Sequence, residues 1–355
     1  MTRTEQLLKK LSDDIDCAII TSDINRFYFT GMKSSAGVCI IFRDSAYLLI
    51  DSRYYEKACD TVRNYNVILM TDYYAQIEEL LEKHNADTVA IETNTMTVSE
   101  YQNLCSKLKN RKIICSGNLS RAIDKMRSIK TLEEIEKIKF AQKIAEKAFE
   151  NVLNYISEGK TEKEIAFELD SYMLKNGAEA VSFDTIALSG KNTSLPHGVP
   201  SDKKVHSGEF VLMDFGAVYE GYHSDMTRTV CIGEPDEEMT VVYNTVLNAQ
   251  LAALDSLHAG INCTEPDSIA RNYISEHGYG SYFGHGLSHS VGLEIHELPS
   301  SSPKATGTLD SNVIITMEPG IYLPKKFGVR IEDMAAITET GHENLTKAPK
   351  RLIKL

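Results

Sequence analysis

Four carboxylates stand where apolar residues are expected. Asp214 interrupts the run FVLMDFGAVY, and Asp225 follows eleven residues later in SDMTRTV. Glu318 breaks the run IITMEPGIY, and Glu332 lies inside VRIEDMA. A carboxylate in a buried strand is costly unless it is paired, hydrogen-bonded or bound to a metal. A turn over residues 220–223 would set Asp214 and Asp225 side by side in a hairpin. Two close carboxylates repel unless a cation lies between them, and a pair between Asp225 and Arg228 accounts for the same residues equally well. Three of the ten histidines, His285, His289 and His296, fall within the stretch FGHGLSHSVGLEIHE. Glycine and serine around them permit close backbone approach. Two Asp, two Glu and one His form an oxygen-rich set without thiolate. Such a set suits Mn(II), Co(II) or Fe(II), with Zn(II) possible, and is unlike a structural zinc site. Four carboxylates able to bridge suffice for two metals about 3.5–4 Å apart.

The elements that must position these groups are strands. Residues 209–219, 224–232, 313–317 and 329–337 read as strands, and period 2 puts Arg330 and Glu332 on one face with Asp333 pointing away. Helices are expected over residues 238–258 and 265–277. Upstream, Thr131 and Glu134 have capping-box spacing, and apolar residues at helical intervals follow as far as a stop near residues 158–159. A second box, Thr161 with Glu164, opens a helix that stops at Asn176 and Gly177. Before residue 125 the pattern alternates. A hairpin runs over residues 38–42 and 47–50, strands lie at 88–91 and 112–115, and helices at 74–84 and 99–110. The sequence therefore predicts a small α/β domain over residues 1–124 and an α+β domain over 125–355.

Bulk properties narrow the function. The 355 residues carry 38 Lys+Arg against 50 Asp+Glu, a net charge of −12. An acidic chain is a poor match for nucleic acid. Seven cysteines without a C-x-x-C pair read as free thiols in a reducing compartment. No apolar run is long enough to cross a bilayer, and the N-terminal residues lack a signal-peptide core. Cytoplasmic location without membrane contact is the expectation.

The ordered motifs D-F-G-A, G-Y-x-S-D-x-T-R-T, H-G…H…V-G-L-E-I-H-E, M-E-P-G-I-Y and V-R-I-E-D resemble the proline-specific metallopeptidases, aminopeptidase P and prolidase. These share the pita-bread fold with methionine aminopeptidase and creatinase. NRFYFTG over residues 25–31 and LLIDSRY over 48–54 resemble stretches of the creatinase-type N-terminal domain, so the likeness covers nearly the whole chain. It implies a metallopeptidase that cleaves the bond before proline, acting on a proline-containing peptide, with two divalent metals, Mn(II) first and Co(II) or Zn(II) next, and a homodimer. It further implies that Asp214 and Asp225 hold and bridge the metals, that His289 and Glu318 hold the second, and that Glu332 bridges. Glu318 would also be the general base. His285 and His296 resemble substrate and transition-state histidines, His197 one that stabilises the tetrahedral intermediate, and Arg330 an arginine that orients the bridging acid. The chain departs from the family at Ser288 and Ser290, which stand where glycines usually flank the metal histidine.

A prolyl bond has no N–H and a locked φ, so selection by a ring pocket is expected rather than strand-like pairing. Two other readings remain: a creatinase-like amidinohydrolase, and a catalytically inactive peptide-binding protein. Either would be expected to have lost ligands, and all five candidates are present here. Methionine aminopeptidase fits less well, because the N-terminal part is a full extra module.

Overall fold

A computed structural model describes residues 2–355. The chain forms two compact units, one ending at Arg127 and one spanning Ser128–Leu355.

In the first unit, α1 (Arg3–Lys10) precedes β1 (Cys17–Ile20), α2 (Asp23–Thr30), β2 (Val38–Phe42), β3 (Ala46–Ile50), α3 (Ser52–Thr61) and β4 (Asn66–Leu69). Then come α4 (Tyr73–Lys83), β5 (Thr88–Ile91), α5 (Val98–Lys107), β6 (Lys112–Ile114) and α6 (Asn118–Ser128). The strands form one mixed sheet in the order β4-β3-β2-β1-β5-β6. Its central strands β1, β2 and β3 are buried throughout, as their continuous apolar runs require.

The second unit opens with α7 (Leu132–Val152) and α8 (Glu162–Lys175), each started by the capping box read from the sequence. Helix α7 ends at Val152, well before Gly159. The apolar pattern outlasts it because Ile156, in the turn that follows, buries into the same core as Phe149 and Val152. Next come β7 (Ala180–Val181), β8 (Ile186–Ser189), β9 (Phe210–Phe215), β10 (Ala217–Tyr219), β11 (Tyr222–His223) and β12 (Met226–Cys231). They precede α9 (Glu237–Asp255), α10 (Glu265–Glu276), β13 (Ser288–Ser290), β14 (Glu297–Ser301) and β15 (Ile314–Met317). The chain finishes with β16 (Gly320–Leu323), β17 (Phe327–Arg330), β18 (Asp333–Ile337) and β19 (His342–Asn344). The strands form small antiparallel sheets, β12-β9-β8, β11-β10-β7, β14-β13-β15-β18-β19 and β16-β17. Short sheets with segregated helices make this unit α+β.

Two expected strands are split, and both breaks serve the site. The run 209–219 breaks at Gly216, where a Cβ would sit 1.9 Å from the Ser224 carbonyl oxygen. Only glycine lets the two arms approach so closely. The run 329–337 breaks after Arg330. Strand β17 pairs with β16, whereas β18 pairs with β15 and β19. Glu332 therefore sits where the chain passes from one sheet to another.

Candidate active site

Strands β9 and β12 pair so that Thr227 lies opposite Asp214. Asp225 stands just before β12, two residues from Thr227 and thus on the same face. Strand β15 delivers Glu318 at its C-terminal end, and the bulged β13 delivers His289. Thr316 ties the last two together. Its hydroxyl accepts from the His289 backbone N–H at 3.2 Å and donates to Glu318 Oε1 at 3.4 Å. His197 rides on the loop after β8.

All nine side chains singled out in the sequence line one cleft of about 460 Å3: His197, Asp214, Asp225, His285, His289, His296, Glu318, Arg330 and Glu332. The His289 Nε2 atom lies 3.5 Å from both Asp225 Oδ2 and Glu318 Oε1. One ligand atom each from Asp225, His289 and Glu332 lies within 4.8 Å of the others. His296 meets His289 edge to face, with ring centroids 4.4 Å apart.

Arg330 organises one side. Its Nη2 donates to Asp214 Oδ2 at 2.5 Å, its Nη1 to the Tyr322 hydroxyl at 2.8 Å, and its Nε to Thr227 Oγ1 at 3.0 Å. The Thr227 hydroxyl donates onward to Glu332 Oε2 at 2.7 Å. His285 Nε2 also lies 2.9 Å from the Tyr322 hydroxyl. Asp214 Oδ1, Asp225 Oδ1 and Glu332 Oε1 are left buried without a hydrogen-bond partner.

Such oxygens are expensive unless something positive faces them. Burial pushes the Asp225 carboxyl far up, and the nearby Glu332, Asp214 and Glu318 carboxylates push it further. Burial likewise raises Glu332, helped by Glu318 and Asp214. Burial lifts Glu318 to about 8, against the pull of Arg330. It drives His289 and His285 down to about 4, so both imidazoles are neutral at pH 7. Neutral imidazole and crowded acids lacking partners form a donor set that fits divalent cations. Asp225, His289 and Glu332 are close enough together to share an ion, and Asp214 and Glu318 line the same cleft.

The pair between Asp225 and Arg228 does not exist. Arg228 turns to the opposite face, where Nη2 meets Asp333 Oδ1 at 2.7 Å and Nη1 donates to the Glu332 carbonyl at 2.6 Å. Sequence reasoning missed Thr227 and Tyr322. Alternation from Asp225 through Thr227 to Thr229 would have found the first, and nothing in the sequence singles out the second. Of the two unusual serines, Ser290 donates to the Pro299 carbonyl at 2.7 Å, whereas the buried Ser288 hydroxyl has no partner.

Residues 136–339 match metallopeptidase family M24, and residues 3–129 match the creatinase/prolidase N-terminal domain. This chain belongs to family M24. The family member named Xaa-Pro dipeptidase from Pyrococcus furiosus is 40% identical over 353 residues, covering 99% of either chain. The solved structure of an Xaa-Pro dipeptidase from Bacillus anthracis superposes with a TM-score of 0.96 at 38% identity, covering 99% of both chains. An X-Pro aminopeptidase from Thermotoga maritima gives 0.91 at 39% identity, covering 96% of this chain and 98% of that one. The second unit accordingly carries the M24 pita-bread fold, and the first the creatinase-type N-terminal fold.

Proposed function

We propose that this M24 peptidase hydrolyses the peptide bond preceding proline with two divalent cations, Mn(II) foremost, held by Asp214, Asp225, His289, Glu318 and Glu332. The observation that supports this most directly is the convergence of three unpartnered buried carboxylate oxygens with a neutral imidazole in one cleft. When bound, the cations supply Lewis acidity and lower the pKa of water.

The protein's own groups do the rest. Glu318 takes the proton of the attacking water at its carboxylate and passes it to the departing prolyl nitrogen. His197, exposed at the cleft wall, donates to the oxyanion as it forms. His285 and His296 contact the substrate on either side of His289. Arg330 fixes Asp214 directly and Glu332 through Thr227, so each acid has one oxygen tethered and one free. Phe183, Ile186, Pro196 and Ile295 give the cleft apolar wall for a proline ring.

Names among the relatives include both dipeptidase and aminopeptidase. An assay with Mn(II) or Co(II) comparing Xaa-Pro with Xaa-Pro-Yaa peptides separates them. Cleavage of the dipeptide alone makes the chain a prolidase, and release of the first residue from the tripeptide makes it an aminopeptidase P. Failure to cleave either, with about two metals bound, would defeat the reading. The seven unbridged thiols suit a reducing cytoplasm. The family likeness also implies a homodimer, which sedimentation would test.

A further inference from the structure

Glu162 is fully buried, lies outside the cleft, and gathers the loop that carries His197. It occupies the first turn of α8, beyond the N-cap Thr161. Its Oε1 accepts from the Ser189 backbone N–H at 2.7 Å, the Ser189 hydroxyl at 3.1 Å and Asn192 Nδ2 at 3.0 Å. Its Oε2 accepts from the Ser201 backbone N–H at 3.0 Å and the Ser201 hydroxyl at 2.6 Å. Residues 189 and 201 are the two ends of the segment that holds His197. One carboxylate therefore closes both ends of this loop onto a helix N-terminus, where negative charge is favoured. On the cleft side, Pro196 and His197 line the wall, and the Pro196 carbonyl lies 3.4 Å from Arg330 Nη1. Thr193 further back accepts from the Gly328 N–H at 2.7 Å. His197 itself is exposed, so its position depends on its backbone.

We infer that Glu162 is a positioning residue for catalysis: it sets the height and direction of the His197 loop, and its loss lowers turnover through His197. This rests on the role given to His197 above. Glutamine at this position keeps the shape but turns an NH2 toward groups that are themselves donors, so one end of the loop keeps only its backbone ties, Ser189 opposite Val211 or the Lys163 N–H on the Ser201 carbonyl at 3.2 Å. A misplacement near 1 Å costs up to about 100-fold in rate.

The test is a double-mutant cycle in the metal-loaded protein with an Xaa-Pro substrate. Glu162→Gln should lower kcat about 10- to 100-fold, with KM changed less than about threefold and two metals retained. Hydrogen exchange over residues 190–203 should quicken. In a His197→Ala background the same substitution should cost less than about threefold more. Should Glu162→Gln fail to fold, Ser201→Ala, which removes one donor and leaves α8 intact, should show a smaller loss with the same dependence on His197. Equal losses in both backgrounds, or unchanged kcat in the folded single variant, overturn the role of Glu162 alone. Full activity in His197→Ala overturns the reading of His197, and with it this one.

Discussion

Glu332 and Asp333 are neighbours in the chain, equally buried at 2% and 0% exposure, and physically opposite. Asp333 faces Arg228, Lys350 and Asn344, each at 2.7 Å, so both its oxygens are satisfied. Burial pushes its carboxyl up, but Arg228 and Lys350 outweigh that and hold it below the ordinary range. Glu332 faces other acids, keeps one oxygen without a partner and is raised. Burial is common to both, so burial does not mark function. Uncompensated burial does. The Arg228 side is built to hold β12 to the start of β18, and the Glu332 side is built to receive charge from outside.

Substitution should separate the two sides. Asp225→Asn or Glu332→Gln should cut Xaa-Pro turnover by about 10⁴-fold, equivalent to about 5 kcal/mol in the barrier. The metal-free variant should be at least as resistant to urea as the parent, because the cost of burying an uncompensated carboxyl has gone. Full activity in either would remove the basis for the metal site. Asp333→Ala should do the reverse. It strands two cations, and breaking a buried pair in this way costs about 3–5 kcal/mol. Urea unfolding with a midpoint equal to the parent's would erase the contrast.

His197→Ala tests the exposed wall of the cleft. It should lower kcat by about 10- to 1000-fold with both metals retained, and measured metal content decides whether the loss is electrostatic or structural. The smallest effect is in pH. Between pH 6.5 and 8 the folded, metal-free protein keeps a proton on Glu318 that the unfolded chain has already released. The folded state then binds more protons, so its stability falls as pH rises, by about 1–2 kcal/mol across this window. His285 and His289, both pushed down to about 4, act in the opposite sense up to about pH 7.5 and offset part of the fall. Saturating metal should abolish the fall. A flat metal-free profile from pH 6.5 to 8 would mean that Glu318, with Asp225 and Glu332 raised beside it, is already compensated.

The acids were legible because each breaks an apolar strand pattern, and the helices because their capping boxes sit at fixed spacing. Arg228 was less so. Three residues from Asp225 suggests contact, but alternation along the strand sends the two to opposite faces. Splits at Gly216 and after Arg330 were hidden because apolar residues continue through the first and alternate with charged ones through the second, and only pairing partners reveal the change of sheet. Nothing in the sequence singles out Glu162, since its partners at 189, 192 and 201 are fixed by tertiary folding.

The half-tethered acids bear on how the centre loads. Arg330 and Thr227 already restrain one oxygen each of Asp214 and Glu332, so an arriving ion need not freeze those side chains itself. Stripping and reloading should leave the scaffold's shape intact. Exchange of one divalent ion for another would then be limited by entry through the cleft mouth rather than by any refolding of its walls.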